Sequence, residues 1–410
     1  MNQKNKGYLS SYHASLDRLQ QTQDAECQTL AAEWSEPRDF APHRPCPRCG
    51  KLRPVKNYAV PRTISTKIGT VLFRRHYYYC ACCRLGFYPR DEELGLDPED
   101  LTDDVIALAL DFALNDPFEL SAQRLELHHQ IKLSATKMQH LFGRQTAPLD
   151  AGEKPRPVVE LPVSPRNAHQ PVVIQNDGSM IRRTDDWHEV KLLRVGLLNQ
   201  TDAVYFAETR DKERFEDWLR EARGFSQLRR RTVLWLGDGA PYNWGLQQRL
   251  CPHAQGLVDF YHVLEKVSAC AATLFKEGDY CAGPFVATTT KLLLRAEAKL
   301  VISQLKECQL LLGAARGDKG RREELRKLIG YLVRNRDRLD YKFFLENRWP
   351  IGSGAIESAH KWVLQKRMKQ AGMKWSPQNA QQMAVARAVY ASVGPFNFYR
   401  FLTLAKQNAA

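Results

Sequence analysis

Hydrophobic and polar positions change their period several times along the chain, and each change marks a different kind of element. Residues 1–40 are polar and read as helical in part. Between Cys46 and Cys83 the segments NYAVPRTIS and TVLFRRHYYY flank KIG, as the two arms of a β-ribbon flank their turn. Residues 101–144 turn helical in three pieces, LTDDVIALALDFAL, DPFELSAQRLELHH and SATKMQHLFGR. Pro155, Pro157, Pro162, Pro165 and Pro171 then read as a linker.

Beyond the prolines the apolar runs shorten. PVVIQND, WHEVKLLRVGLL and AVYFAE predict three strands, KERFEDWLREAR an amphipathic helix, and TVLWLGDG a buried strand ending at Asp238. YNWGLQQRL gives a short helix and GLVD a short strand. DFYHVLEKVSACAATLF gives a long helix with Phe260, Val263, Leu264, Val267, Ala271 and Leu274 on its apolar side. The order is β-β-β-α-β-α-β-α, an α/β pattern. Residues 285–346 are almost entirely helical in pattern, and WPIGSGAIESAHKWVLQKRM opens one more helix at its glycines.

Composition narrows the class. The 410 residues are 43% apolar and 26% charged, which is globular and large enough for several domains. The N-terminal stretch lacks the apolar core of a signal peptide, and no run approaches the roughly 18 apolar residues of a membrane span. A soluble, cytoplasmic, nucleoid-associated protein without a membrane partner is therefore expected. The net charge of +14 makes a polyanion the leading partner. Much of the excess lies at one end: no Asp or Glu follows Glu357, whereas Lys361, Lys366, Arg367, Lys369, Lys374, Arg387, Arg400 and Lys406 do.

Ten cysteines in an unexported chain point to metal before disulfides. A Cys-x-x-Cys turn presents two sulfurs to one ion, and Cys46 with Cys49 and Cys80 with Cys83 supply two such turns for a closed, structural Zn²⁺. Cys82 competes for the fourth position. Arg74, Arg75 and His76 on the second arm can touch phosphate, although a half-wetted strand gives the same pattern. Ser134 suits the cap of SATKMQHLFGR. With the preceding helix this makes a helix-turn-helix-like pair, whose base-reading candidates are Thr136, Lys137 and Gln139.

Asp177 and Asp238 each end an apolar strand, and in this strand order the first and fourth strands can be neighbours. Glu357 starts the last large helix behind Gly352-Ser353-Gly354. Converging carboxylates repel unless a hard divalent cation neutralises them, so Mg²⁺ or Mn²⁺ is the expected tenant. On a 100° wheel Glu357, His360, Lys361, Leu364, Arg367 and Met368 share one broad face, and Lys361, Arg367 and Lys369 are candidate phosphate contacts. Taken singly, each acid also has an ordinary explanation, as a turn residue or a favourable charge at a helix start.

NDGSM at Asp177, WHEVK after it, GDGAPYNW at Asp238, VDFYHVLEKV at Asp259 and His262, and WPIGSGAIESAHKWVLQKRMKQAGMKWS at Glu357 resemble the ISKra group of bacterial insertion-sequence transposases, relatives of the Mutator-like DDE elements. The resemblance covers nearly the whole chain, including the CPRCG knuckle. It implies a ribonuclease-H-like core with a helical insertion before the last acid, and Asp177, Asp238 and Glu357 as the DDE triad. It also makes Asp259-Phe-Tyr-His262 the Asp-x-x-His signature of that superfamily. His262 is then a DNA-contacting or metal-adjacent candidate, beside the plainer reading of a capped helix with a polar histidine.

The expected organisation is a polar segment (1–40), a zinc ribbon (41–98), a helix-turn-helix-like DNA-binding region (99–150) and a proline-rich linker (151–168). A ribonuclease-H-like core (169–265) follows, interrupted by an all-helical insertion (266–348) and completed by 349–410. The expected activity is cleavage and strand transfer of double-stranded DNA by a homo-oligomer assembled on element ends. A zinc-ribbon repressor and a structure-specific nuclease are the rival readings. An intact triad argues against the first, inverted repeats flanking the gene would separate it, and target duplications beside the element would disfavour the second.

Overall fold

A computed structural model describes residues 3–37, 42–150, 158–210, 212–276, 278–312 and 318–409. The chain divides into two compact units, Met1–Gln145 and Thr146–Ala410. No helix among the described residues is long and apolar enough to cross a membrane.

In the first unit α1 (Gln3–Trp34) leads into a two-stranded ribbon, β1 (Arg44–Pro45) with β2 (Leu52–Arg53). β3 (Val55–Thr66) and β4 (Gly69–Cys80) form the expected antiparallel hairpin, and β5 (Leu85–Phe87) adds to β4. α2 (Pro89–Glu93) precedes α3 (Asp103–Asn115), which buries Val105, Ile106, Ala109, Leu110, Ala113 and Leu114 at helical spacing. α4 (Phe118–His129) and α5 (Ala135–Thr146) follow. Ser134 caps α5, its Oγ accepting the Lys137 amide at 3.1 Å.

The second unit is a mixed α/β layer built on β6 (Val172–Arg182), β7 (Trp187–Leu197), β8 (Ala203–Glu208), β9 (Val233–Gly237) and β10 (Gln255–Val258). The strand order is β10-β9-β6-β7-β8. β6, β7 and β8 pair antiparallel, while β9 and β10 add in parallel on the other side of β6. Parallel neighbours need crossovers, and these are α6 (Lys212–Glu221) and α7 (Pro241–Leu250). The sheet interior is apolar on both faces: every residue of β8 and β9 is buried, Trp235 among them.

After β10 the chain is helical through α8 (Phe260–Leu274), α9 (Ala282–Leu294), α10 (Ala298–Leu311), α11 (Lys319–Arg334) and α12 (Tyr341–Glu346). α13 (Gly354–Ala359) runs straight into a π-helical turn (His360–Gln365) and the short α14 (Lys366–Met368). α15 (Pro377–Val393) and α16 (Pro395–Ala409) complete the unit.

Two expectations change here. Pro155 and Pro157 lie outside the described residues, and the rest of the proline-rich segment is not a loose linker. Val159, Leu161 and Val163 are buried, and Val159 and Leu161 exchange backbone hydrogen bonds with Arg223. Arg231 bonds the carbonyls of Ser164 and Asn167. The alternation of apolar residues outweighs the prolines, because the segment forms only an isolated bridge from Glu160 to Arg223 and no ladder there needs a proline amide. The second change concerns the Glu357 helix. The broad face drawn on the wheel spans two environments, because its His360 side is covered and its Lys361 side is not. Arg367 falls with His360 and points inward, 1% exposed, with its guanidinium 5.0 Å from the Trp375 ring centre. His360, Leu364 and Met368 are buried with it, while Glu357, Lys361 and Lys369 remain exposed. Arg387 of the basic tail is also internal, donating to the carbonyls of Val363 and Trp362 in the π-turn.

Candidate functional site

β6 is buried from Val172 to Asn176 and leaves the core at Asp177. Its parallel pairing with β9 runs from Val172↔Val233 to Gln175↔Leu236. Two residues further along each strand stand Asp177 and Asp238, level with one another and both half-buried. Oδ1 of Asp177 accepts the Gly178 amide at 2.8 Å, and Oδ2 lies 3.6 Å from Nε2 of His360. His360 is buried, and that burial pushes its pKa below the ordinary histidine value despite the attraction of Asp177. A neutral imidazole thus faces Asp177.

Asp238 is held more tightly. Its Oδ1 accepts the Ala240 amide at 2.9 Å and Nδ2 of Asn243 at 2.6 Å, and its carbonyl accepts the Tyr331 hydroxyl at 2.8 Å. Gly239 has φ +85°, and a Cβ there would sit 2.7 Å from the Tyr331 hydroxyl, so only glycine fits. Asn243 was not singled out in the sequence. The clue is its place one turn into the helix that follows the strand, from which a side chain reaches back to the strand end.

Glu357 lies in the first turn of α13, which packs on β6 and β7. Its carboxylate lies with Asp259 and His262, in a group whose candidate ligand atoms are all within 4.8 Å of one another. Asp177, Asp238 and Glu357 do not form such a group among the described residues. The β6–β9 pairing levels the two aspartates, whereas Glu357 comes from a separate helix that this pairing does not fix.

Asp259 is fully buried and caps α8, its Oδ1 accepting the amides of Tyr261 at 2.6 Å and His262 at 3.1 Å. Oδ2 accepts the Ser353 amide at 2.5 Å and the Ser353 hydroxyl. This strap ties the start of α8 to the loop before α13, and Gly352 lets that loop lie against the Tyr261 ring, 2.6 Å from where a Cβ would stand. Burial opposes ionisation of Asp259, but the bonds from His262 and Ser353 outweigh it and hold its pKa at about 2. The Asp259 carboxylate, its Oδ1 3.7 Å from Nδ1, raises His262 to about 9 against the desolvation of the ring. With four donors already on its two oxygens, Asp259 is the anchor of His262 rather than a metal ligand.

Asp259, depressed from 3.8, contributes stability above that value and loses it as pH falls toward 2. His262, raised from 6.5, contributes fully below 6.5 and loses it as pH rises through about 9. Asp259→Asn is expected to return the His262 pKa to near 6.5 and to destabilise the second unit by on the order of 3 kcal/mol. Proton NMR titration of the imidazole and urea unfolding read both, and an unmoved His262 pKa breaks the pairing.

In the first unit Cys46, Cys49, Cys80 and Cys83 form a second group of candidate ligands within 4.8 Å of one another. The Cys49 and Cys80 sulfurs are 3.6 Å apart, near the edge of roughly 3.8 Å for a tetrahedron with Zn–S bonds of about 2.3 Å. This four-cysteine cluster could bind structural zinc. Burial works against ionisation of Cys80, but bonds from the Cys83 amide, Cys49, Cys46 and Arg53 draw its pKa down to about 6, toward the thiolate a metal needs. Cys82 stands outside the cluster, exposed, with Nη2 of Arg53 at 3.0 Å. Of the other nominated residues, Thr136 and Gln139 are exposed on α5 and Lys137 is half-buried. Lys369 reaches Oγ of Ser179, two residues past Asp177, at 3.2 Å.

Neither protein-family models nor curated proteins gave a match to this chain.

Proposed function

We propose that the protein is a DDE-type transposase on a ribonuclease-H-like core, binding the terminal inverted repeats of an insertion sequence and cleaving and joining double-stranded DNA. One observation carries the reading: two half-buried aspartates stand level at the ends of neighbouring parallel strands, and an acid-bearing helix, separated from them by a helical insertion, packs on the same sheet. The antiparallel trio extended by two parallel strands supports the ribonuclease-H-like assignment. The donor set fits a hard divalent cation, being oxygen-only and partly screened from water.

Asp177, Asp238 and Glu357 would hold Mg²⁺ or Mn²⁺. Bound there, such ions favour in-line displacement at phosphorus by stabilising both the attacking and the leaving oxygen. Water then breaks one phosphodiester, leaving a 3′-OH and a 5′-phosphate, and that 3′-OH displaces a target 3′-oxygen in the joining step. Asn243 and the Ala240 amide orient Asp238. Neutral His360 keeps Asp177 from forming an internal ion pair, and Asp259 fixes His262 beside Glu357. The cysteine ribbon and α5, with Thr136, Lys137 and Gln139, are proposed to read the element end, and the working form is a homo-oligomer on DNA. Incubating the protein with a labelled element end and Mg²⁺ and mapping the nicks tests the reading. Binding without nicking would leave a repressor.

Exposed Lys361 and Lys369 suit the phosphate backbone beside the acids, whereas buried Arg367 does not. Lys361→Ala/Lys369→Ala is expected to shallow the salt dependence of log K by up to about two units, alike for specific and random duplexes. Arg367→Ala should instead lower the melting temperature, since it empties a packed position over Trp375. Affinity across a salt series separates these outcomes, and a changed ratio between duplexes at constant slope would make this helix a base reader.

A further inference from the structure

A cavity of about 350 Å³ is lined by Gln175, Arg194, Gln200, Arg348, Trp349 and Gly352 among others. Gln175 shares a sheet face with Asp177, two residues before it, and Arg194 stands opposite Gln175 on β7. Gln175 is 2% exposed, yet its Oε1 has no hydrogen-bond partner. Arg194 is 7% exposed and bonds the Gln200 carbonyl at 3.3 Å, and neither it nor Arg348 is ion-paired with a described carboxylate. Arg348 is held at φ +57°, a left-handed conformation unfavourable to arginine.

Buried polar atoms are nearly always satisfied, and a buried cation without a counter-ion is costly. Arg194, buried without a carboxylate, and the idle Gln175 amide therefore call for an anion, and exposed Arg348 stands at the cavity rim to meet it. The guanidinium fork matches phosphate oxygens, and the amide can turn its NH₂ toward the same group. We infer that this cavity binds the terminal phosphate of a nucleotide. The proposed function enters only as a source: hydrolysis beside Asp177 yields a strand with a 5′-phosphate, and a free mononucleotide carries the same group.

The test uses the full-length protein in buffer without added divalent cation, so that the carboxylate site does not contribute. Binding is compared for a DNA oligonucleotide with a 5′-phosphate, the same oligonucleotide with a 5′-hydroxyl, and deoxyadenosine monophosphate against deoxyadenosine. A preference of about tenfold for the phosphorylated oligonucleotide is expected. Arg348→Gly, which also relieves the left-handed residue, should remove most of that preference while the protein stays folded. Gln175→Leu should remove part of it and raise the melting temperature, because an idle buried acceptor is replaced by an apolar group. A preference confined to the mononucleotide supports the site with the free nucleotide as its source. No preference for phosphate, or a preference untouched by Arg348→Gly and Gln175→Leu, overturns the inference. Mg²⁺-dependent nicking is measured separately: nicking without phosphate preference removes the pocket alone, and preference without nicking removes the transposase reading alone.

Discussion

Asparagine at position 177 is expected to cut Mg²⁺-dependent nicking of an element end by about 10³-fold or more, while affinity for the same duplex stays within about twofold. The substitution is nearly isosteric, and its amide oxygen can still accept the Gly178 amide that Asp177 accepts at 2.8 Å. What it removes is one negative charge at the mouth of the sheet. Because His360 opposite is buried and its pKa is lowered by that burial, no ion pair is lost with the charge, and stability should hardly move. Glu357→Gln makes the parallel case, since Glu357 is exposed and its loss disturbs no packing. Asp259→Asn is the contrasting control: it should cost stability first and nicking only through the displaced His262. Nick mapping on matched amounts of folded protein, with thermal unfolding alongside, distinguishes the three, and undiminished nicking by either Asp177→Asn or Glu357→Gln would sink the proposed triad.

Much of this site is legible one strand at a time. PVVIQND and TVLWLGDG each state a buried strand that surfaces at an acid, because a run of apolar residues followed by Asp can hardly be anything else in a sheet covered on both faces. The Cys-x-x-Cys pairs are equally local. What the sequence leaves hidden depends on residues far apart or on departures from ideal geometry. The Asp259–Ser353 strap joins positions 94 residues apart, and no local pattern announces it. A wheel groups Arg367 and Lys361 on one broad face without saying where the cover of that face ends, so Arg367 joins Lys361 on paper and Trp375 in space. Along Val159, Leu161 and Val163 the prolines are louder than the alternation between them, which is the signal that decides. The cavity at Gln175 combines both difficulties, since it needs the cross-strand neighbour Arg194 and the left-handed Arg348 from another element.

Removing zinc is expected to have the largest effect on the first unit. A closed four-thiolate site contributes on the order of 10 kcal/mol to folding near pH 7, comparable to the whole stability of a small domain. The packing around the cysteines is thin: Cys46, Tyr78, Cys80 and Phe87 form the buried cluster, with only Val55, Cys83 and Leu85 partly covered against it. Two of those four core members are themselves candidate ligands, so without a metal this end of the ribbon has little to bury. Gly50, at φ +69°, closes the first knuckle by donating its N–H to the Cys46 carbonyl at 2.9 Å, a turn that presents sulfurs but has few contacts of its own. Elemental analysis of protein purified without chelator should find one zinc per chain. Cys83→Ser should lose it and melt the ribbon, whereas Cys82→Ser should keep it, because Cys82 faces Arg53 and solvent rather than the other sulfurs. Since the ribbon is proposed to read the element end, Cys83→Ser should also lose specific DNA binding while non-specific nicking by the second unit persists. Zinc retained in Cys83→Ser but lost in Cys82→Ser would exchange the fourth ligand, and no zinc in the wild-type protein would remove the site.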